Sequence, residues 1–321
     1  MFQYYKSTII SILIVIITIF TIYGADRIIG SKFNKIYSGW NKEGYRGELR
    51  GKKKIDSKRI IALGGSTTFG YGTTNDKSWP YLLEENLKSN NINIDVINLG
   101  GLSHGMWAIH KDIKHYNYLD YDYAIIFNGY NDINPETLAQ YSKRHNNPIF
   151  KKFGYLPTLD VYLYEKLALL FYDDLAEFYA SKRNKDSNDN IFFFNYKNKL
   201  KSDDNKKIQE KLKQKLEENK KEPFEDYLNE YLKVINYLNK KKIQTIIIHQ
   251  PNLDNEILDL QKIKVDKLIL NHQNIKVLNF RELIDLQNKK LSSDGMHLTF
   301  KGNKIIADEI FKKLKDKFKN N

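Results

Sequence analysis

The chain has 321 residues, of which 41% are hydrophobic and 13% aromatic, enough to bury a substantial core and too apolar for a wholly disordered protein. Lys and Arg exceed Asp and Glu by 52 to 39, a formal net charge of +13. Much of that excess lies in Lys- and Asn-rich tracts at 197–221 and 312–321, which read as solvated faces and tails; with no basic-aromatic motif beside it, it does not point to nucleic acid. The absence of cysteine excludes disulfides, thiolate metal sites, a cysteine nucleophile and a cysteine-borne lipid anchor.

The first element is the uncharged run TIISILIVIITIFTIY at 8–23, which with Ser7, Gly24 and Ala25 approaches the length of a membrane span. Tyr4, Tyr5 and Tyr23 flank it as interfacial rings and Lys6 and Arg27 close its ends. A poor small-x-small pattern near Gly24 and Ala25 favours an uncleaved anchor at 1–25 over a cleaved signal peptide. Arg27, Lys32 and Lys35 follow the run while only Lys6 and the amino terminus precede it, so the positive-inside bias leans against export. Long C-terminal domains are nevertheless translocated despite such charges, and the expected placement is single-pass, with the large domain outside the cytoplasm. Residues 26–56, polar, basic and broken by Gly44, Gly47 and Gly51, suit a juxtamembrane linker or lead-in segment.

From residue 57 to 321 a single large domain is expected. Short Ile- and Val-rich runs at 59–63, 94–99, 123–128, 243–249 and 275–280 predict strands buried on both faces of a parallel sheet. Between them, 79–89, 106–118, 224–239 and 255–270 predict helices; Phe224, Tyr227, Leu228, Tyr231, Leu232 and Ile235 place one apolar stripe against the sheet. The alternation implies a doubly wound α/β domain. A helical, charged insertion at about 145–222 interrupts it, read equally as a lid, a membrane-facing flap or a plain surface excursion.

Ligands of such sheets bind outside the carboxyl ends of the strands. Those ends read LGGSTTFGYG, NLGGLSHG and NGYND, and the last strand is followed by SSDGMHLTFKGN. Ser66 follows Gly64 and Gly65, whose missing Cβ atoms permit a tight turn with the hydroxyl exposed. A serine hydroxyl needs a base, and His297 is the candidate because Asp294, three residues earlier, can accept from its imidazole. An oxyanion formed at Ser66 needs donors; Asn131 offers a side-chain amide, and Ser66 and the 101–103 stretch offer backbone N–H groups. His249, in HQP, lacks an acidic partner nearby in sequence and reads as structural, while His104 could touch substrate. A phosphate loop at the first block lacks both GK[ST] and GxGxxG spacing.

In this order Ser66, the glycine-rich second block, Asn131 and the Asp294 to His297 pair resemble the SGNH (GDSL-type) hydrolases, from about residue 58 to the C-terminus. The resemblance implies a three-layer α/β/α sandwich around a five-stranded parallel sheet, flavodoxin-like, here preceded by one transmembrane helix. It further implies serine ester or acyl-transfer chemistry through Ser66, His297 and Asp294, without metal or organic cofactor. Two positions depart from the family: Gly65 stands where an aspartate is usual, and Ser103 stands where the oxyanion glycine is expected, with Gly101 or Gly105 as alternative donors. The expected activity is a serine esterase or deacylase acting on an acyl ester of a carbohydrate or lipid. An O-acyltransferase of envelope polysaccharide and a non-catalytic membrane-tethered binding protein are the alternatives.

Overall fold

The computed structural model describes residues 2–32, 39–132, 143–172, 224–252, 256–272 and 274–319. The five apolar runs form strands β1 (Lys58–Gly64), β2 (Ile94–Asn98), β3 (Tyr123–Phe127), β4 (Gln244–His249) and β5 (Ile275–Asn279), joined in one parallel sheet of order 2-1-3-4-5. The helices are α1 (Phe2–Lys32), α2 (Ser66–Phe69), α3 (Trp79–Ser89), α4 (Met106–His115), α5 (Lys143–Asn146), α6 (Pro148–Phe153), α7 (Leu159–Ala168), α8 (Glu225–Lys240), α9 (Glu256–Ile269) and α10 (Phe300–Lys319).

Strand side chains alternate between the two faces, and so do the layers they hold. Ile61, Leu63, Ala124, Ile126 and Ile247 pack with α4, α8 and α9, through residues such as Ile109, Tyr231, Ile235 and Val265. Ile60, Ala62, Ile125, Phe127 and Ile248 pack on the opposite side with α3 and α10, through Leu83, Leu87, Ile306, Ile310 and Leu314. The result is the expected three-layer α/β/α sandwich. Each fully buried aliphatic side chain contributes roughly 1.5–3 kcal/mol, so the two clusters, rather than any polar contact, hold the layers together. The lysines of the C-terminal tract, expected on solvated helix faces and tails, lie as far as 319 on the last turns of α10, whose inner side buries Ile306, Ala307, Ile310, Leu314 and Phe318.

In the 2-1-3-4-5 order the connections leave β1 and β3 toward opposite ends of the sheet, opening a crevice at their carboxyl ends. Ser66 follows β1 and Asn131 follows β3, so both lie at that switch point.

The stretch expected as a juxtamembrane linker opens with the last turns of α1, which run on to Lys32, and its second half is folded on to the domain. Tyr45 and Arg46 are buried; Arg46 N–H donates to Asn98 O at 3.0 Å, and its guanidinium donates to the carbonyls of Phe69 and Gly70. Arg46 thereby fixes the loop that leaves α2. Within the expected insertion, α5 to α7 are described, and 173–223 lies outside the described residues.

Candidate active site

Ser66 is the first residue of α2 and is half-buried. The turn that delivers it has no room for side chains: a Cβ at Gly64 would stand 2.2 Å from Phe127 O, and one at Gly65 would stand 2.1 Å from Asn131 Nδ2. In this structure the Asn131 amide packs directly against the bare Cα of Gly65.

His297 comes from the opposite wall. The chain from Leu291 to Thr299 closes on itself: Thr299 N donates to Leu291 O at 3.0 Å and Ser293 N to His297 O at 2.9 Å, with Gly295 turning at φ +86°. Inside this loop the Asp294 carboxylate accepts from His297 N at 2.7 Å and sits 2.7 Å from Nδ1 through its other oxygen. The imidazole is held by its own loop, and its Nε2 lies 2.8 Å from Ser66 Oγ. The Tyr71 ring, 5.0 Å away between centroids, packs against it. The three residues expected to act together, 231 positions apart at the widest hydrogen bond, are therefore in one line of contacts. The arrangement can move a proton from Ser66 Oγ to Nε2 while Asp294 fixes the tautomer.

Asn131 lies in the turn after β3, and its Nδ2 donates to His104 O at 2.9 Å. Of the second-block donors, Gly101 N–H is engaged with Gly64 O at 3.1 Å. Gly105 precedes α4 and is pressed against Asp132, whose Oδ1 accepts from Met106 N at 2.8 Å. Burial pushes the Asp132 carboxyl up to about 7. Ser103 is exposed and adopts φ +59°, the left-handed conformation that glycine takes without strain.

The His104 ring does not face the crevice. It is buried against Gly101 and stacks on His145 at 5.8 Å, and its carbonyl accepts from Asn131 Nδ2. Behind it lies a polar network that sequence reading missed. Arg144 on α5 donates to Asp112 Oδ2 at 2.6 Å, to Leu99 O at 3.0 Å and to Gly44 O, with His104 Nδ1 at 3.3 Å; His145 Nε2 meets Asp112 Oδ1 at 2.6 Å. Burial pushes Asp112 up, but the Arg144 charge and the two imidazoles outweigh it and hold the carboxyl well below the usual range. The signal for this network was an aspartate on the apolar stripe Met106, Ile109, Asp112, Ile113 of α4, which demands a buried partner.

Burial, reinforced by Arg144, lowers the His104 imidazole from 6.5 to about 4. The folded state keeps it neutral down to about that pH, while the unfolded chain takes up a proton from its ordinary value of 6.5 downward. Its contribution to stability is fully present above pH 6.5 and is lost as pH falls toward 4. Thermal unfolding midpoints should therefore drop between pH 7 and pH 4, and drop less steeply in His104→Gln.

His249 has an acidic partner after all, supplied across space: its Nε2 lies 2.7 Å from Asp266 Oδ1 on α9. Burial lowers its pKa despite that partner. A cleft at this end of the sheet is lined by Asn128, Gly129, His249, Gln250, Asn252 and Arg281, and Gln250 Oε1 accepts from Thr67 Oγ1 at 3.2 Å, beside Ser66. Among the described residues no group of three or more His, Asp or Glu side chains is placed to hold a metal ion.

The GDSL-like Lipase/Acylhydrolase family matches residues 60–310. No curated protein matches the chain. Among solved structures, the psychrotrophic esterase EstA from Pseudoalteromonas sp. is similar at 12% identity and a TM-score of 0.48, over 83% of this chain and 100% of that one. A GDSL-like lipase from Bacteroides thetaiotaomicron VPI-5482 is similar at 13% identity and a TM-score of 0.41, over 83% of this chain and 92% of that one. The family match spans the sheet from β1 to α10 and takes in every strand-end block that meets at Ser66, and the chain belongs to the GDSL-like lipase/acylhydrolase family, as a hydrolase acting on ester bonds.

Proposed function

We propose that the chain is a membrane-anchored serine esterase that removes an acyl group from a carbohydrate or lipid ester through a covalent acyl-enzyme. The observation that carries this reading is the contact line Ser66 Oγ to His297 Nε2 at 2.8 Å and His297 Nδ1 to Asp294 Oδ2 at 2.7 Å. Ser66 Oγ attacks the ester carbonyl carbon as its proton passes to Nε2, and Asp294 supports the imidazolium that results. The carbonyl π electrons move to oxygen. The Ser66 and Ser103 N–H groups and the Asn131 amide stabilise that oxyanion; an amide nitrogen carries two hydrogens, so the bond to His104 O is compatible with this role. Collapse expels the alcohol, which takes the proton from Nε2, and water, deprotonated by the same nitrogen, cleaves the Ser66 ester.

The amide side chains of Asn128, Gln250 and Asn252 in the adjoining cleft favour a hydroxyl-rich alcohol, because they can donate to and accept from sugar hydroxyls. α1, apolar enough to span over the 24 residues Tyr5–Ile28 and with none of its most apolar stretch buried in the protein, serves as the anchor. The domain is placed outside the cytoplasm. Protease added to intact cells should cleave it; full protection there, with cleavage after lysis, contradicts that placement.

A panel of acyl esters on sugars and lipids, assayed with water alone and with an added glycan acceptor, tests the reaction. Release of free acid independent of acceptor is expected, whereas product confined to the acceptor identifies a transferase instead. Within the same panel Asn131→Ala should lower kcat by about a hundred- to a thousandfold. Ser103→Gly, which keeps the N–H and suits the left-handed backbone, should leave kcat nearly unchanged.

A further inference from the structure

α7 is packed inside out. Glu165 has 0% of its surface exposed, whereas Leu163 shows 51%, Leu167 59%, Leu170 73% and Phe171 81%. Leu163 and Leu167 lie four apart on one side of α7, with Tyr164 beside them, and Leu170 and Phe171 extend the exposed apolar surface into the turn that follows the helix. A helix facing water turns its leucines inward and its glutamate outward. Phe153 at the end of neighbouring α6 is exposed as well, at 69%.

The occupant of this face follows from what α7 is tied to. Asp26, near the C-terminal end of the apolar run of α1, accepts from the backbone N–H groups of Thr158 and Leu159, the first of them at 2.7 Å, and so holds the start of α7. Tyr23 of α1 packs on Tyr155 with ring centroids 5.5 Å apart, and the Arg27 guanidinium lies over both rings at 5.7 and 5.3 Å. A Tyr–Arg cluster at the end of an apolar span belongs at the depth of the lipid headgroups. α7 starts at that depth. Lys151, Lys152 and Lys166 are exposed around it, placed to meet anionic headgroups, with Asp160 the acid of its first turn.

We propose that α7 and the end of α6 lie in the interface of the same bilayer that α1 spans, with Leu163, Leu167, Leu170 and Phe171 in the acyl boundary. The inference rests on the anchoring role of α1. Docking of this kind ties the domain to the bilayer at a second place besides α1 and limits how far it swings from the lipid surface.

The chain has no cysteine of its own, so single probes report without background. Full-length Leu163→Cys, Leu167→Cys and Phe171→Cys, each retaining ester turnover, are labelled with a nitrobenzoxadiazole fluorophore in phosphatidylcholine–phosphatidylglycerol vesicles. Ile14→Cys in α1 and Lys312→Cys on exposed α10 serve as references. Quenching by lipid-borne doxyl groups at 163, 167 and 171 is expected, with iodide quenching constants at least threefold below that at 312. Iodide access equal to that at 312, with the probe at 14 still quenched by lipid, overturns the docking and leaves the anchor standing. Protection from both quenchers means that protein covers the face and also overturns it. A water-accessible probe at 14 overturns the anchor and the docking together.

Discussion

Ser66→Ala should lower ester turnover by about ten-thousandfold or more while leaving the thermal midpoint close to that of the native chain. The activity lost is large because the hydroxyl is both the atom that bonds the acyl group and the proton donor to Nε2. The stability lost is small because Ser66 is half-buried and its hydroxyl meets, among the described residues, the His297 imidazole. His297→Ala should cost a comparable factor, and the double variant should be little worse than either alone. Residues that act as one unit are non-additive in this way, since removing one member already removes the step the other serves. Multiplication of the two losses would mean that Ser66 and His297 act on separate steps, and the 2.8 Å contact would have no catalytic meaning.

The largest stability effect is expected at Arg144. Its side chain is fully buried and answers the Asp112 carboxylate, the Leu99 and Gly44 carbonyls and the His104 Nδ1. Arg144→Ala leaves Asp112 as a buried charge without its guanidinium, a defect that costs about 3–5 kcal/mol. Against a total stability of about 5–15 kcal/mol for an ordinary domain, this is a large fraction. Urea unfolding should show a lower midpoint with an unchanged slope. The Arg144→Ala, Asp112→Ala double variant should be destabilised by less than the sum of the single effects, because the second substitution removes the charge that the first left unpaired. Strict additivity would show that the two groups do not support each other.

The parts legible in sequence are those set by local periodicity. The helix expected at 79–89 is α3 to the residue, because Trp79, Leu83 and Leu87 mark its buried face and Pro80 suits a first turn. All five strands lie within a residue of their expected limits at every end, since runs rich in β-branched residues suit strands buried on both faces of a parallel sheet. Ser66 in the block after β1 and Asp294 and His297 in one block after the last strand stood out in sequence, and the fold brings the two blocks within hydrogen-bonding reach.

What escaped depends on partners distant in the chain. Asp112 and Arg144 are 32 residues apart and meet only because α5 folds back over α4. His249 seemed to lack an acid because Asp266 reaches it from the next helix. His104 was open to a substrate contact from its block, and its ring is drawn inward by Arg144 and stacked on His145, which no local pattern encodes. In α10 the excess of lysine concealed an apolar stripe at Ile306, Ile310 and Leu314 that charge counting overlooks and helical spacing retains.

The central claim is that Ser66 is the atom donor to the acyl bond. It is tested most directly by treating the full chain with a fluorophosphonate and locating the adduct by mass spectrometry of its peptides. The expected result is a single adduct on Ser66, absent in Ser66→Ala and formed far more slowly in His297→Ala. A folded native chain that takes up no label and turns over no ester, or one labelled elsewhere with Ser66 unmodified, would contradict it.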